Sequence, residues 1–242
     1  MTETSNNYVI CGQYPHILAA LDKLNCCSLV VEKSTVLPSP VARHADMLCI
    51  NVGGRIFTYD SALLQRLSAE GFCCAVPSVP QGGQYPHDVG LNCLLLDGYM
   101  VCNVRHCAPE VLAAAEQEGL QIVHVNQGYT RCSTAVVNSH AVITADCAIA
   151  EVMRKRGIEV LNIRPGHIAI EQYDYGFIGG CCTLLREGLL LFSGDPMTHP
   201  DGAEMVRFIR AHGCDYVVTP TGGENMLYDF GGCVVVGKKK PC

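Results

Sequence analysis

The sequence predicts an α/β fold of five β-β-α-β modules arranged as a ring, on three observations. A glycine or asparagine stands at the end of five helical runs, each just before an apolar strand: Asn25, Gly71, Gly119, Gly157 and Gly213. Both residue types accept the left-handed conformation that closes a helix, so the five positions read as C′ caps. Upstream of four of these helices lies a hairpin, two apolar runs around a tight polar turn, at residues 48–59, 92–102, 134–144 and 183–193. The fifth hairpin is split between the chain ends, one strand within residues 6–12 and the other within 231–242. A last module shared by both termini is what a ring requires.

The elements follow in order. A strand at NYVIC leads to a helix closed at Asn25 and a strand at CCSLVV. The 48–59 hairpin runs into a helix that Asp60 caps and Gly71 closes, and the 92–102 hairpin into one closed at Gly119. The 134–144 hairpin precedes a helix capped by Asp146 and closed at Gly157. Asp195 is read as the cap of the last helix, which closes at Gly213. About three strands per helix argues against a doubly wound sheet, which has one.

With 242 residues and no Pro/Ser-rich linker, the chain reads as one domain over residues 1–242 with a substantial core. The start MTETSNNYVI has no basic n-region and no long apolar run, so a soluble cytoplasmic protein is expected, without a membrane partner. Net charge is −6 with no basic stripe, which excludes a nucleic-acid surface; Lys238–Lys240 reads as a solvated chain end. Sixteen cysteines without a C-x-x-C read as reduced, mostly core thiols, and their spacing argues against a structural zinc site.

Each module's last strand must lead into the next module, so the five linkers emerge on one end of the ring. They carry His44 and Asp46; His87 and Asp88; Arg131; His167, Glu171 and Asp174; and Glu224 and Asp229. Each then reaches a cysteine at the mouth of a strand: Cys49, Cys93, Cys132, Cys181 with Cys182, and Cys233. Asp46, Asp88, Asp174 and Asp229 thus face a central cavity, and the remaining module offers Arg131. That set suits a small ligand with a cationic head held by carboxylates and an anionic tail held by the guanidinium. Turn-capping by Asp46 and Asp88, and neutralisation of the acids by Arg131, are the structural alternatives.

Five such modules with the termini sharing one resemble the pentein fold, a five-bladed α/β-propeller with pseudo-five-fold symmetry found in amidinotransferases, arginine and agmatine deiminases and dimethylarginine hydrolases. A ribosome anti-association initiation factor is similar in architecture and is not an enzyme. The resemblance implies a nucleophilic cysteine at Cys233, after Asp229-Phe230-Gly231-Gly232, and a proton-carrying histidine at His167, in Gly166-His167. It also implies that Asp88 and Asp174 grip a guanidinium. The chemistry would be Cys-dependent C–N hydrolysis or deimination of a guanidino or amidino compound, with no metal or organic cofactor. Two other readings stay open: a non-catalytic protein that binds a small molecule or docks on a larger assembly, and a soft-metal site at the ring of axial cysteines. The sequence does not fix whether the chain forms homo-oligomers.

Overall fold

The computed structural model describes residues 7–237; Lys238–Lys240 lie outside them. The chain path is β1 (Asn7–Cys11), α1 (Pro15–Lys23), β2 (Cys26–Val30), α2 (Ala45–Leu48), β3 (Cys49–Val52), β4 (Arg55–Thr58), α3 (Ser61–Ala69) and β5 (Cys73–Ala75). It continues through β6 (Leu94–Leu96), β7 (Tyr99–Cys102), α4 (Pro109–Gln117), β8 (Gln121–His124), β9 (Thr134–Asn138), β10 (Ala141–Thr144), α5 (Cys147–Arg154) and β11 (Glu159–Asn162). It ends in α6 (Ile178–Cys181), β12 (Cys182–Arg186), β13 (Leu189–Ser193), α7 (Gly202–Ala211), β14 (Asp215–Thr219) and β15 (Cys233–Gly237).

These strands form five three-stranded sheets, β15-β1-β2, β3-β4-β5, β6-β7-β8, β9-β10-β11 and β12-β13-β14. In each, an antiparallel pair is followed by a parallel pair that needs a helical crossover. The first sheet joins both ends of the chain, with Ile10 opposite Val234 and Cys11 opposite Cys233. Asn25, Gly71, Gly119, Gly157 and Gly213 all take positive φ, between 57° and 79°, as helix-closing residues do.

Strand alternation decides where the core sits. On β1, Val9 and Cys11 pack with Ile17 and Leu21 of α1, whereas Ile10, facing the other way, packs with Leu63 and Leu67 of α3. The same sharing recurs: α4 meets Met100 of its own sheet and Ile50 of the preceding one, and α5 meets Val142 and Val101. Helix α7 meets Phe192 and Ile143, while α1 also meets Leu191 of β13. Each of these helices therefore fills the gap between two sheets.

Asp60 and Asp146 cap α3 and α5 as expected, each accepting from two backbone N–H groups at 2.9–3.0 Å. Asp195 departs from the expectation. It caps a single 3-10 turn, Pro196–Thr198, and α7 starts later at Gly202. Pro200 explains the break, because the residue before a proline is pushed out of the helical region, and His199 is extended at φ −77°, ψ 142°. We predict that Asp146→Ala lowers stability by about 1 kcal/mol. Urea unfolding should show a lower midpoint at unchanged slope.

Candidate binding site

All five linkers meet around one cavity of about 360 Å³. The first linker brings His44, the second Asp88, the third Tyr129 and Cys132, the fourth residues 170 and 173–177, and the fifth Asp229. Backbone bonds lace the linkers together. Asp46 N donates to Gly231 O, Gly179 N to Cys132 O, Ala169 N to Leu227 O and Asp229 N to Ala169 O. Close packing at Gly180 and Gly231 completes the fit, because a Cβ there would overlap the Asp229 carboxylate and the His44 side chain respectively.

Among the described residues no lysine or arginine lines this cavity, whereas Asp88, Asp174 and Asp229 do. Asp88 is buried and accepts from the Tyr129 hydroxyl at 2.8 Å through Oδ2, which leaves its Oδ1 buried without a partner. Asp174 is exposed at the rim. Asp229 is held by the N–H groups of Phe177 at 2.8 Å and Gly231 at 3.0 Å, with His44 Nδ1 at 3.7 Å. His44 Nε2 is also buried and unpartnered. Aromatic rings form much of the remaining wall; Tyr129 and Phe177 lie 5.9 Å apart between centroids, with Tyr173 and Tyr175 nearby in the lining. Carboxylates with aromatic faces and no competing cation make a receptor for a small positive group.

Behind the wall lies a second, drier layer. Asp46, 1% exposed, accepts from the Cys132 thiol at 3.0 Å, and Asn92 donates to the same sulfur at 2.9 Å. Asn92 also accepts from the backbone N–H groups of Arg131 and Cys132. Burial pushes the Asp46 carboxyl up to about 7 from an ordinary 3.8, against the pull of Arg131. Burial, then the nearby Asp46 and Asp229 charges, push the Cys132 thiol well above its ordinary range. Burial also pushes the His44 imidazole down, opposed by Asp229.

Of the six residues singled out in the sequence, the structure brings together Asp88, Asp174 and Asp229. Arg131 does not join them. Its guanidinium donates to Gly179 O at 2.9 Å and reaches Cys233 O at 3.5 Å, in a different, central cavity of about 230 Å³. That cavity is lined by β3, β6, β9, β12 and β15 and includes Cys49, Cys93, Cys182 and Cys233. Cys233 is 2% exposed, and burial with Cys11 nearby pushes its thiol well up. His167 is exposed, at φ 60°, with its ring 5.5 Å from that of His199. Among the described residues, no hydrogen bond, ion pair or ring contact joins His167 to Cys233. Sequence reading noted His44, Asp46 and Cys132 without ranking them, and missed Asn92 and Tyr129. Only the shared linker face could have pointed to those two.

Solved structures match nearly the whole chain, among them the following three. Inosamine-phosphate amidinotransferase StrB1 from Streptomyces griseus is 12% identical, with a TM-score of 0.59 over 98% of this chain and 95% of that one. A mutant DDAH from Pseudomonas aeruginosa complexed with citrulline is 8% identical, with a TM-score of 0.58 over 96% and 99%. Agmatine deiminase from C. jejuni is 10% identical, with a TM-score of 0.55 over 99% and 96%. They are pentein enzymes, and the chain has the pentein fold. A comparison with curated protein sequences finds no match. The model of a family described as "Family of unknown function (DUF6873)" matches residues 9–234.

The buried acid sets a pH dependence. The folded chain keeps the Asp46 proton up to about pH 7, and the unfolded chain releases it near 3.8. The stabilisation this proton gives is full below pH 3.8 and is lost as pH rises through about 7. His44 acts in the opposite direction, because the unfolded chain takes a proton below 6.5 that the folded chain refuses. Asp46→Asn should therefore gain stability relative to the parent as pH rises from about 4 to about 7.5. Urea midpoints of both proteins across that range check it; a constant offset would contradict burial as the cause.

Proposed function

We propose that this chain, which belongs to that family of unknown function, binds a small guanidino or amidino cation in the cavity lined by Asp88, Asp174 and Asp229. The observation that carries the reading is the buried Asp88 Oδ1, unpartnered beside aromatic rings in a cavity that, among the described residues, no lysine or arginine lines. A buried carboxylate oxygen without a donor is costly, and a planar cation with several N–H groups removes that cost. The reading treats the five sheets as blades of a closed propeller, which the sharing of α1 between β1 and β13 supports. The matched amidinotransferase and agmatine deiminase add support through their names alone.

A second reading, Cys-dependent C–N hydrolysis or deimination, is favoured by the presence of Cys132 and His44 in the same cavity. Above about pH 7, with Asp46 ionised, the thiol proton would pass to Asp46, its hydrogen-bond partner, and the sulfur would add to the amidine carbon. Ammonia or an amine would leave with the proton that Asp46 had taken, and water would then add to the same carbon and break the C–S bond, giving the urea or amide and restoring the thiol. A bound cation lowers the thiol pKa, which the unliganded site holds high. In this reading Cys132 and His44 take the roles that the pentein resemblance gives to Cys233 and His167.

Calorimetry with methylguanidine and agmatine, against citrulline, a zwitterion of no net charge whose ureido group is neutral, tests the first reading. Cations should bind and citrulline should not, and Asp88→Asn should weaken binding by about tenfold or more, the loss of a charged hydrogen bond. Equal binding of citrulline, or no effect of Asp88→Asn, would refute it. Alkylation by 2-chloroacetamidine, mapped by mass spectrometry against iodoacetamide, tests the second. Fast amidine-selective labelling of Cys132 is expected, whereas labelling of Cys233 would return the nucleophile to the central cavity.

A further inference from the structure

Three thiols outside the acidic cavity converge in a way that core packing does not require. Cys93 precedes β6, Cys102 ends β7 and Cys107 lies just before α4. Hairpin register explains the first pair: Leu94 faces Val101, so one step further Cys93 faces Cys102. A turn closed by Cys107 N donating to Asn103 O at 3.0 Å folds the third thiol back onto them. The three sulfurs all lie within 4.8 Å of one another, with Cys93 and Cys107 at 3.4 Å. Metal–sulfur bonds of about 2.3 Å in a trigonal plane separate the sulfurs by about 4.0 Å, within this range.

Around them the surroundings are apolar, with Leu91, Met100 and Val111 in the same core cluster. Access exists from two sides, since Cys93 also lines the central cavity and Cys107 is the most exposed of the three at 8%. The group contains no imidazole or carboxylate among the described residues. Zinc favours four ligands in a tetrahedron, whereas a compact three-sulfur set suits a soft monovalent ion.

We infer that Cys93, Cys102 and Cys107 form a three-coordinate thiolate site for copper(I), separate from the cation-binding cavity. Binding displaces the thiol protons and changes no oxidation state. The local spacing of these cysteines carries no metal motif, because the hairpin register, not a C-x-x-C, brings the sulfurs together.

The test is an anaerobic titration of the full, reduced protein with copper(I) in competition with bathocuproine disulfonate. One equivalent should be withheld from the chelator. Cys102→Ala and Cys107→Ser should each weaken that binding by more than the roughly 10–100-fold typical of an outer-shell change, while Cys147→Ser, at an exposed thiol, should leave it unchanged. Far-UV circular dichroism checks the fold of each variant. Cys107→Ser, at the least buried of the three sulfurs, remains informative if Cys102→Ala does not fold. X-ray absorption of the one-equivalent complex of the parent protein should show three sulfur neighbours. A shell of two sulfurs, copper retention in both variants, or tighter retention of zinc(II) than of copper(I) would overturn the assignment.

Discussion

Every major helix of this protein has to satisfy two sheets at once, and the rest of the architecture follows from that. Helix α3 is the clearest case, with Leu63 and Leu67 touching Ile56 of their own sheet and Ile10 of the previous one. A three-stranded sheet alone buries too little apolar surface to be stable, so the helix between two sheets supplies what each lacks. The arrangement also fixes where the connections go. Because each helix crosses back between neighbouring sheets, the linkers to the next module are gathered together, and chemistry-bearing residues far apart in sequence become neighbours.

The gathered linkers then create an electrostatic problem that the fold solves in layers. Asp46 and Asp229 are both almost fully buried. Asp229 is satisfied by backbone N–H groups, whereas Asp46 has one thiol donor and the field of Arg131 against burial, with its Oδ1 left unpartnered. Arg131 itself is spent on the carbonyls of Gly179 and Cys233, so its charge steadies Asp46 from behind, while among the described residues no lysine or arginine lines the front of the cavity. Asn92 ties the layers together by bonding both the backbone and the sulfur of Cys132.

What the sequence made legible was whatever depends on near neighbours. The hairpin turns and the helix-closing residues at Asn25, Gly71, Gly119, Gly157 and Gly213 require special backbone angles, which few residue types accept, so they announce themselves. The carboxylates Asp88, Asp174 and Asp229 were also within reach, because linker order alone puts them on a shared face. The pairing of Cys132 with Asp46 was not, since it depends on how two linkers are rotated against each other. Nor was the Asp195 turn read correctly, where Pro200 overrides a capping signal that is sound by itself. Sixteen cysteines of one type gave no means of choosing among them until burial and contact distinguished their surroundings.

The strand pairing of β1 with β15 has a consequence for how the protein is made. Strand β1 gains its parallel neighbour β2 after a single helix, but its antiparallel partner β15 follows only after the strands of all four other sheets. Of the five sheets this one is thus begun first and completed last, by a contact that closes a loop containing the other four. Such long-range closure slows folding, and it leaves an apolar strand edge open to mispairing while the other four sheets assemble from local contacts.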